Sequence, residues 1–413
     1  MEEKQSWDWN TDLKEIPVKE WQDRFNWVQA PRVTPDGEQV AAIVNTDEMA
    51  FSVCVNGEAW ETEYEKIWTL TSLPDNRFAA FVCSDEEWTL NLDGKEWENR
   101  YDFIWDLNVT SSGDKVSAAV QTDMEYGMTV NGQDWEGMFD SMTGMIMADT
   151  GDTAAVVQVK PMAAADTEAY RDGIFSVAKN GQALESVFLN IWDLQFDATG
   201  ENLAYVVRTD RESYTIVQNN TPWDCVLQSA WRPLFNERGH VLAPVRIGGV
   251  WKLYRDGVPY WSTGYDQLWH ICQAPGKRDI AAIVSPKFGE WTVAVNDRIW
   301  SCRWDAMVSD IYYSQNGETL VAQGKQGETW NLAVNDKAWD LKADQLFDTT
   351  ISADGSAVAV VVEKNGLFHL VVNNRIRKGG YEMMAAPVFS PDGRKILVKG
   401  IENGIYTRRI LSL

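Results

Sequence analysis

Residues that commonly hold metals, haem or disulfide bonds are scarce in this chain of 413 residues. It has three histidines and five cysteines, and no two cysteines have the Cys-x-x-Cys spacing. An odd number of scattered cysteines argues against a disulfide framework, a zinc site or a haem attachment, and it is typical of a reducing compartment. We therefore predict a cytoplasmic protein that binds no cofactor and no metal.

Long hydrophobic runs and basic residues are also lacking. No stretch approaches the roughly 20 apolar residues of a membrane helix, so we predict no direct membrane insertion. The N-terminus, from Met1 to Lys4, is acidic and has no apolar core, which argues against a secretory signal. Lys and Arg number 37 against 61 Asp and Glu, a net charge of −24. Unassisted nucleic-acid binding needs a basic face and is therefore not expected.

Signatures of catalysis are missing as well. The three histidines, His240, His270 and His369, lie in different parts of the chain. No Gly-x-Ser-x-Gly elbow, His-Glu-x-x-His helix or phosphate-binding glycine loop is present. With 61 carboxylates, no particular acid–base pair can be selected. We predict that the protein is not an enzyme and has no catalytic residue.

Tryptophan, by contrast, is abundant, with 21 residues that mostly follow a repeat of roughly 38–40 residues. Each unit has a turn such as Thr34-Pro35-Asp36-Gly37 and then an apolar run such as residues 40–44. An aromatic residue comes next, and an Asn or Asp five positions later opens a second turn. Pairs such as Asn-Gly and Asp-Gly suit tight hairpins. Each unit therefore predicts four short strands, A to D.

About ten such units predict an all-β protein with a β-propeller fold. The last unit ends without a strand D, whereas Lys19-Glu20-Trp21 matches Lys95-Glu96-Trp97 near strand D of an earlier unit. We expect residues 17–25 to be the strand that completes the last blade, because closure of this kind removes exposed sheet edges. The propeller would then span residues 17–413, after an acidic arm at residues 1–16. One ten-bladed ring is favoured, and two smaller propellers are the alternative.

Most tryptophans are interpreted as packing residues. Seventeen of the 21 occupy three recurring positions of the repeat, which suits contacts within and between blades. Trp7, Trp9, Trp27 and Trp304 lie outside the pattern. Trp7 and Trp9 lie in the acidic arm, which either docks a partner or packs on the propeller as a strap.

Negative charge is concentrated in the first part of the chain. Residues 1–150 contain 31 acidic and 10 basic residues. The loops between strands B and C, which share one face of a propeller, follow this trend. Acidic residues occupy these loops in the first three units: Asp47, Glu48, Asp85, Glu86, Glu87, Asp123 and Glu125. Basic residues occupy the later ones: Arg208, Arg211, Arg246, Lys287, Lys325, Lys364 and Lys399.

The fourth B–C loop, around residues 161–172, is longer than the others. Solvation alone can account for an acidic surface. An acidic sector beside an enlarged loop better fits a docking face for a basic protein partner. Cytoplasmic loops of membrane proteins are such partners, because they are enriched in Lys and Arg.

The repeated Asn-Gly-x-x-Trp units, such as residues 56–60 and 131–135, carry a resemblance to a known family. With Lys19-Glu20-Trp21 and the Ile-Trp-Asp-Leu segments at 104–107 and 191–194, they resemble the TmcD family. Its members are tryptophan-rich, WD40-like subunits of the Tmc transmembrane electron-transfer complex of sulfate-reducing bacteria. The resemblance implies a cofactor-free cytoplasmic subunit whose partners are the membrane, cytochrome and iron–sulfur subunits of a redox complex.

Two other functions are compatible with a propeller. One is a lectin or hydrolase with a ligand site at the central channel, which a cluster of aromatic and carboxylate side chains at one mouth would favour. The other is a TolB-type propeller that works outside the cytoplasm, against which the absence of a secretory signal argues.

Overall fold

The computed structural model describes residues 7–161 and 173–413, which form ten antiparallel sheets. Eight sheets have four strands, and two have five because their first strand is divided. In nine sheets the strands are neighbours in chain order, and in the tenth β40, β41 and β42 are joined by β1, so each sheet is one blade of the repeat. The fold is an all-β propeller of ten four-stranded blades, as the repeat predicts.

The described residues fall into two compact units. The first unit contains residues 7–96, 274–277 and 304–413, with blades 1, 2, 8, 9 and 10. The second contains residues 97–161, 173–273 and 278–303, with blades 3 to 7.

In the first unit the blades have these strands: blade 1, β2 (Trp27–Val28), β3 (Arg32–Val33), β4 (Val40–Asp47), β5 (Ala50–Val55) and β6 (Glu58–Ala59); blade 2, β7 (Lys66–Ser72), β8 (Phe78–Ser84), β9 (Glu87–Leu92) and β10 (Lys95–Glu96); blade 8, β32 (Met307–Tyr313), β33 (Leu320–Gln326), β34 (Thr329–Val334) and β35 (Lys337–Ala338); blade 9, β36 (Gln345–Ile351), β37 (Val358–Lys364), β38 (Leu367–Val372) and β39 (Arg375–Tyr381); blade 10, β40 (Met383–Phe389), β41 (Lys395–Glu402), β42 (Ile405–Ser412) and β1 (Leu13–Ile16). Two short helical segments follow β1: a 3₁₀ turn (Val18–Glu20) and α1 (Trp21–Arg24).

In the second unit the blades have these strands: blade 3, β11 (Phe103–Val109), β12 (Val116–Thr122), β13 (Glu125–Val130) and β14 (Gln133–Asp134); blade 4, β15 (Met142–Met147), β16 (Thr153–Gln158), β17 (Phe175–Lys179) and β18 (Gln182–Ala183); blade 5, β19 (Asn190–Phe196), β20 (Leu203–Arg208), β21 (Tyr214–Gln218) and β22 (Thr221–Pro222); blade 6, β23 (Ser229–Ala230), β24 (Leu234–Phe235), β25 (Val241–Ile247), β26 (Val250–Arg255) and β27 (Val258–Pro259); blade 7, β28 (Gln267–Gln273), β29 (Ile280–Lys287), β30 (Glu290–Val295) and β31 (Arg298–Ile299).

Strand B carries the core of each blade. In β4, residues 40–44 are all buried, at most 4% exposed. The strand lies between strands A and C and is covered on both faces, so its sequence reads as an unbroken apolar run instead of an alternating one. Ala41 and Ile43 pack with Leu70 and Ala80, which joins blade 1 to blade 2 in one hydrophobic cluster.

The Asn or Asp that opens each turn between strands C and D has a second role beyond its turn conformation. The Asn56 Oδ1 atom accepts a hydrogen bond at 2.9 Å from the backbone N–H of Val40, the first residue of strand B. Asn131 does the same for Val116 at 2.9 Å, and Asp93 for Phe78 at 2.7 Å. Asn and Asp also tolerate the left-handed backbone, with φ of 50° at Asn56. Both requirements explain why the repeat keeps this residue type.

The N-terminal strand does complete blade 10, but it is not the predicted segment 17–25. The strand is β1 (Leu13–Ile16), which pairs antiparallel with β42, Leu13 opposite Arg409 and Ile16 opposite Tyr406. Residues 18–24 are helical instead. Pro17 has no N–H for the ladder and ends the strand, which the match to Lys95-Glu96-Trp97 could not indicate.

The match nevertheless places Trp21 correctly in the repeat. The tryptophan after strand D of one blade packs on the glycine of the C–D turn in the next blade. A Cβ atom added to Gly94 would lie 3.7 Å from the Trp60 ring, and one added to Gly57 would lie 3.6 Å from Trp21. In the second unit Trp135 packs on Gly181 in the same way. Glycine is required here both by its positive φ and by the ring above it.

Candidate functional site

The predicted acidic residues lie at the tips of three hairpins between strands B and C, which we name the acidic hairpins: residues 47–50, 84–87 and 122–125. The first two belong to the first unit and the third to the second unit. All seven predicted acidic side chains are exposed: Asp47, Glu48, Asp85, Glu86, Glu87, Asp123 and Glu125. Their position on B–C turns is therefore as predicted.

These carboxylates carry unneutralised charge. None of the seven forms an ion pair with any residue that the structure describes. In the B–C turn of blade 7, by contrast, the Lys287 ammonium lies 2.9 Å from the carboxylate of Glu290, and the Arg303 guanidinium lies 2.8 Å from the same side chain. The acidic hairpins thus present negative charge that an external cation could neutralise.

The residue at the second position of the turn distinguishes the acidic hairpins from those of blades 6, 7, 9 and 10. In blades 6, 7, 9 and 10 the second residue of the two-residue B–C turn is a glycine with positive φ: Gly249, Gly289, Gly366 and Gly404. In the acidic hairpins the same place is taken by Met49, Glu86 and Met124, with φ of 54°, 67° and 66°. A left-handed backbone costs a residue with a Cβ roughly 1–2 kcal/mol. These turns therefore hold large side chains at a conformational cost that glycine avoids.

Two of these side chains are apolar and exposed. Met49 is 70% exposed and Met124 is 81% exposed. Methionine is flexible and polarisable, and it is common on surfaces that accommodate varied partners. The Asn45 amide steadies the first hairpin, because it donates to the carbonyl oxygens of Asp47 at 2.8 Å and Ala50 at 3.0 Å. Each acidic hairpin so combines free carboxylates with a large side chain held outward.

The N-terminal arm is fastened to blade 10. The Lys395 ammonium donates to the Trp9 carbonyl at 2.7 Å, and the buried Arg408 guanidinium donates to the Asp8 carbonyl. The Trp7 and Trp9 rings are half-buried and stack with centroids 6.2 Å apart. Hydrogen bonds from Thr11 and from the Asn10 amide hold the pKa of the Asp8 carboxyl well below its usual range. Partner binding by Trp7 and Trp9 remains a prediction. The arm that contains them already contacts blade 10.

Several of the predicted basic loop residues lie elsewhere. Lys399 is only 3% exposed, inside β41, because the repeat places it in strand B and not in the turn. Its ammonium donates to the Pro35 carbonyl at 2.9 Å. Burial lowers the pKa of this side chain to about 8. Arg211, Arg246, Lys287 and Lys364 are exposed. Arg208 in β20 and Lys325 in β33 are half-buried, and Arg246 lies within β25, so these three are strand residues and not loop residues.

The tryptophans are divided between packing and exposure. At the position after strand D, Trp261 is buried at 3% exposed, and Trp21, Trp135, Trp223 and Trp300 are buried as well. Trp60, Trp97 and Trp339 at the same position are half-buried. On strand A or directly after it, however, Trp68, Trp192 and Trp231 are 42–47% exposed. The packing interpretation therefore holds for the first group and only in part for the second.

Cavities occur where proline interrupts strand A. In the first unit, a cavity of about 580 Å³ and another of about 390 Å³ both have Pro31 in their walls. In the second unit, a cavity of about 440 Å³ surrounds Pro233. These sites were not predicted from the sequence. The signal was present, since a proline in a strand marks a break in its hydrogen bonding.

The described residues give no sign of a metal centre. Among them, no group of three or more His, Cys, Asp or Glu side chains is placed to hold an ion. The five cysteines are free thiols, and burial raises the pKa of Cys54 to about 11 and that of Cys272 to about 12. No helix in the described parts of the chain is long and apolar enough to cross a bilayer. Residues 162–172, most of the enlarged fourth B–C loop, lie outside the described residues.

No family model and no curated protein matches the sequence. Solved structures, one of them described as a propeller, are similar to this chain at low sequence identity. A crystal structure of the eukaryotic initiation factor has a TM-score of 0.46 and 9% identity, covering 90% of this chain and 98% of its own. The Dos1 propeller has a TM-score of 0.34 and 10% identity, covering 92% and 91%. Prolyl oligopeptidase B from Galerina marginata has a TM-score of 0.38 and 10% identity, covering 74% and 55%.

Proposed function

We propose that this protein is a non-catalytic interaction subunit that docks a basic protein partner through its acidic hairpins. The observation that carries the proposal is the second turn residue, where Met49, Glu86 and Met124 replace the glycine used in later blades. Strain of this kind persists where the surrounding structure imposes it, and it is concentrated at binding sites. A large exposed side chain at a position with a conformational cost is most simply explained by a contact between that side chain and a binding partner.

Charge specifies the partner. The acidic side chains form no ion pair within residues 7–161 and 173–413, so a cationic surface would be attracted to them and would bind faster at low salt. Exposed methionines beside the carboxylates add apolar contact area that adapts to the partner's shape. Together they suit a segment that contains Lys or Arg next to apolar residues. Cytoplasmic loops of membrane proteins have that composition at the membrane surface.

The family resemblance supports a more specific role. We propose an accessory subunit of a membrane-bound electron-transfer complex, placed in the cytoplasm at the inner face of the membrane. Its neighbours would be membrane, cytochrome and iron–sulfur subunits, which carry the electrons. The propeller would contribute a rigid docking surface, with Trp7 and Trp9 of the arm as a second contact.

A pull-down from native membranes in mild detergent tests both parts of the proposal. Tagged wild-type protein should recover haem and iron in a fixed ratio. The variant Asp85→Lys/Glu86→Lys/Glu87→Lys should weaken association at least tenfold at low salt, because three attractions become repulsions. A matched control is Glu58→Lys/Glu98→Lys/Glu201→Lys, which makes the same charge change at exposed acids outside the acidic hairpins.

The results of the pull-down distinguish the redox-complex role from docking through the acidic hairpins. Wild-type protein that recovers no haem or iron would remove the redox-complex role. Equal losses in the variant and the control would show that net charge, and not the hairpin, governs association. The variant Trp7→Ala/Trp9→Ala in the same assay reports whether the arm takes part.

A further inference from the structure

The cavity of about 440 Å³ in the second unit is formed by the first strands of blades 5, 6 and 7. Its walls combine aromatic, aliphatic, acidic and basic side chains: Asp193, Gln195, Trp231, Arg232, Leu234 and His270. Ligand sites for small molecules have this mixture, with a mainly apolar wall and a few polar groups, in volumes of roughly 300–1,000 Å³. None of these residues contributes to the acidic hairpins.

Proline opens the cavity. In blade 6, strand A is divided into β23 and β24, which pair with β25 on either side of residues 231–233. Pro233 has no N–H to donate to that ladder, so the strand bows out at this point. Between the two halves, the Trp231 N–H donates to the Pro244 carbonyl at 3.0 Å and holds the start of the bulge in place. Blade 1 is interrupted in the same way around Pro31.

Polar side chains reach the cavity from three consecutive blades. Asp193, Arg232 and His270 each follow directly the tryptophan of their own first strand. Asp193 and His270 have φ of 54° and 46°, at bulges where β19 and β28 lose register with their neighbours. Burial raises the pKa of the Asp193 carboxyl, and the charge of Arg232 partly opposes that rise. The two opposite charges therefore act on each other across the site.

Trp231 forms a stacking surface with a solid support. Its ring lies against the ring of Trp251, with centroids 5.4 Å apart and planes 12° apart. Trp251 is buried at 4% exposed, whereas Trp231 is 42% exposed. One face of the Trp231 indole is therefore supported by the core, and the remaining ring surface is open to the cavity that it lines.

We propose that this cavity binds a neutral pyranose sugar. A pyranose has a face of C–H groups that stacks on an indole, and Trp231 supplies that indole. Its hydroxyls both donate and accept, which matches an acceptor in Asp193, donors in Arg232, and both in Gln195 and His270. The opposed charges of Asp193 and Arg232 leave no net charge for the ligand to balance. That balance favours a neutral sugar over an anionic or cationic one.

Titration of the protein with methyl glycosides of glucose, galactose, mannose and N-acetylglucosamine, and with the charged sugars glucuronate and glucosamine, tests this inference. Binding is followed by tryptophan fluorescence and by saturation-transfer NMR. We expect at least one glycoside to give a saturable response, with Kd on the order of millimolar. Trp231→Ala and Arg232→Gln should each weaken binding about tenfold or more, which is about 1.4 kcal/mol. Arg232 is exposed, so its variant keeps the fold.

Trp68→Ala is the matched control, because Trp68 is a strand-A tryptophan of similar exposure that lies outside the cavity. It should leave sugar binding unchanged. No saturable response to any of the four glycosides would overturn the proposal. So would equal losses in Trp231→Ala and Trp68→Ala, or tighter binding of glucuronate or glucosamine than of glucose.

Discussion

The B–C hairpins of blades 2 and 9 have the same geometry and opposite chemistry. Both are two-residue turns with positive φ at both positions: Asp85 and Glu86 in blade 2, Asn365 and Gly366 in blade 9. Blade 9 uses the residue pair that such turns favour, and Lys364 precedes it. Blade 2 uses two acidic residues, one of which is a poor fit to the backbone. Both residue pairs form the same turn. The acidic pair in blade 2 is therefore not required by the fold, and we attribute it to the proposed binding function.

That difference separates two kinds of acidic residue in the protein. Asp93 at a C–D turn serves the fold, since its carboxylate accepts the Phe78 N–H at 2.7 Å. Asp85 and Glu86 have no ion-pair partner among the residues that the structure describes. A high acidic content alone does not identify a site. A narrower criterion for a binding site is an acidic residue at a position whose backbone conformation disfavours that residue type.

The largest effect is expected at Lys399, which was predicted to be a loop residue and lies buried in strand B of blade 10. Between pH 8 and the ordinary lysine range, the unfolded chain keeps a proton on this side chain that the folded chain has lost. Raising the pH therefore favours folding. Relative to Lys399→Met, the wild type should gain roughly 1.4 kcal/mol of unfolding free energy per pH unit in that window. Urea denaturation at several pH values measures it.

Lys364→Met is the control for that measurement, since Lys364 is exposed in the blade 9 hairpin. Its stability should follow the wild type at every pH. A flat difference between wild type and Lys399→Met above pH 8 would contradict the assigned burial.

A smaller effect is expected when later hairpins are given the residues of the acidic ones. Gly366→Glu and Gly289→Met should each lower the unfolding free energy by about 1–2 kcal/mol. No atom lies within 4 Å of a Cβ added at either glycine, so the loss would come from the backbone alone. Thermal or urea unfolding measures it. Unchanged stability would mean that positive φ has no cost in these turns and would remove the basis of the comparison.

The smallest effect is expected in the reverse exchange. Glu86→Gly and Met124→Gly should raise the unfolding free energy by up to about 1 kcal/mol, because relief of strain exceeds the added flexibility of the unfolded chain. The same variants should bind the basic partner more weakly, which the pull-down measures. A gain in stability with full binding would separate the strain from the proposed function.

Much of the fold could be predicted from the sequence because each blade repeats the same physical requirements. The apolar run at residues 40–44 follows from a strand covered on both faces, and Asn56 follows from a tight turn. The position of the closing strand could not be predicted from similarity alone. Trp21 makes the same contact with a turn glycine, Gly57, as the other tryptophans after strand D. The backbone around Trp21 is helical, however, so the sequence match predicts the side-chain contact correctly and the secondary structure wrongly.

The candidate sites were predictable to different degrees. The acidic hairpins follow from charge and from their place in the repeat. The cavity around Pro233 was missed because its residues belong to three blades, and only the fold brings Asp193, Arg232 and His270 together. The pair Trp192-Asp193 has a local explanation as well. Asp tolerates the left-handed bulge after the tryptophan, which makes the pair a feature of backbone geometry and not of a WD40 signature.

The pairing of β1 with β42 has a consequence for synthesis on the ribosome. Residues 13–16 are synthesised about 390 residues before the strand with which they pair, β42. At roughly 5–20 residues per second, the N-terminal strand waits on the order of 20–80 s with its edge unpaired. Blade 10 also supplies Tyr406 and Lys399, whose side chains bond the Gly37 and Pro35 carbonyls of blade 1. The hydrogen bonds between blade 1 and blade 10 therefore form only after the strands of all the other blades have been synthesised.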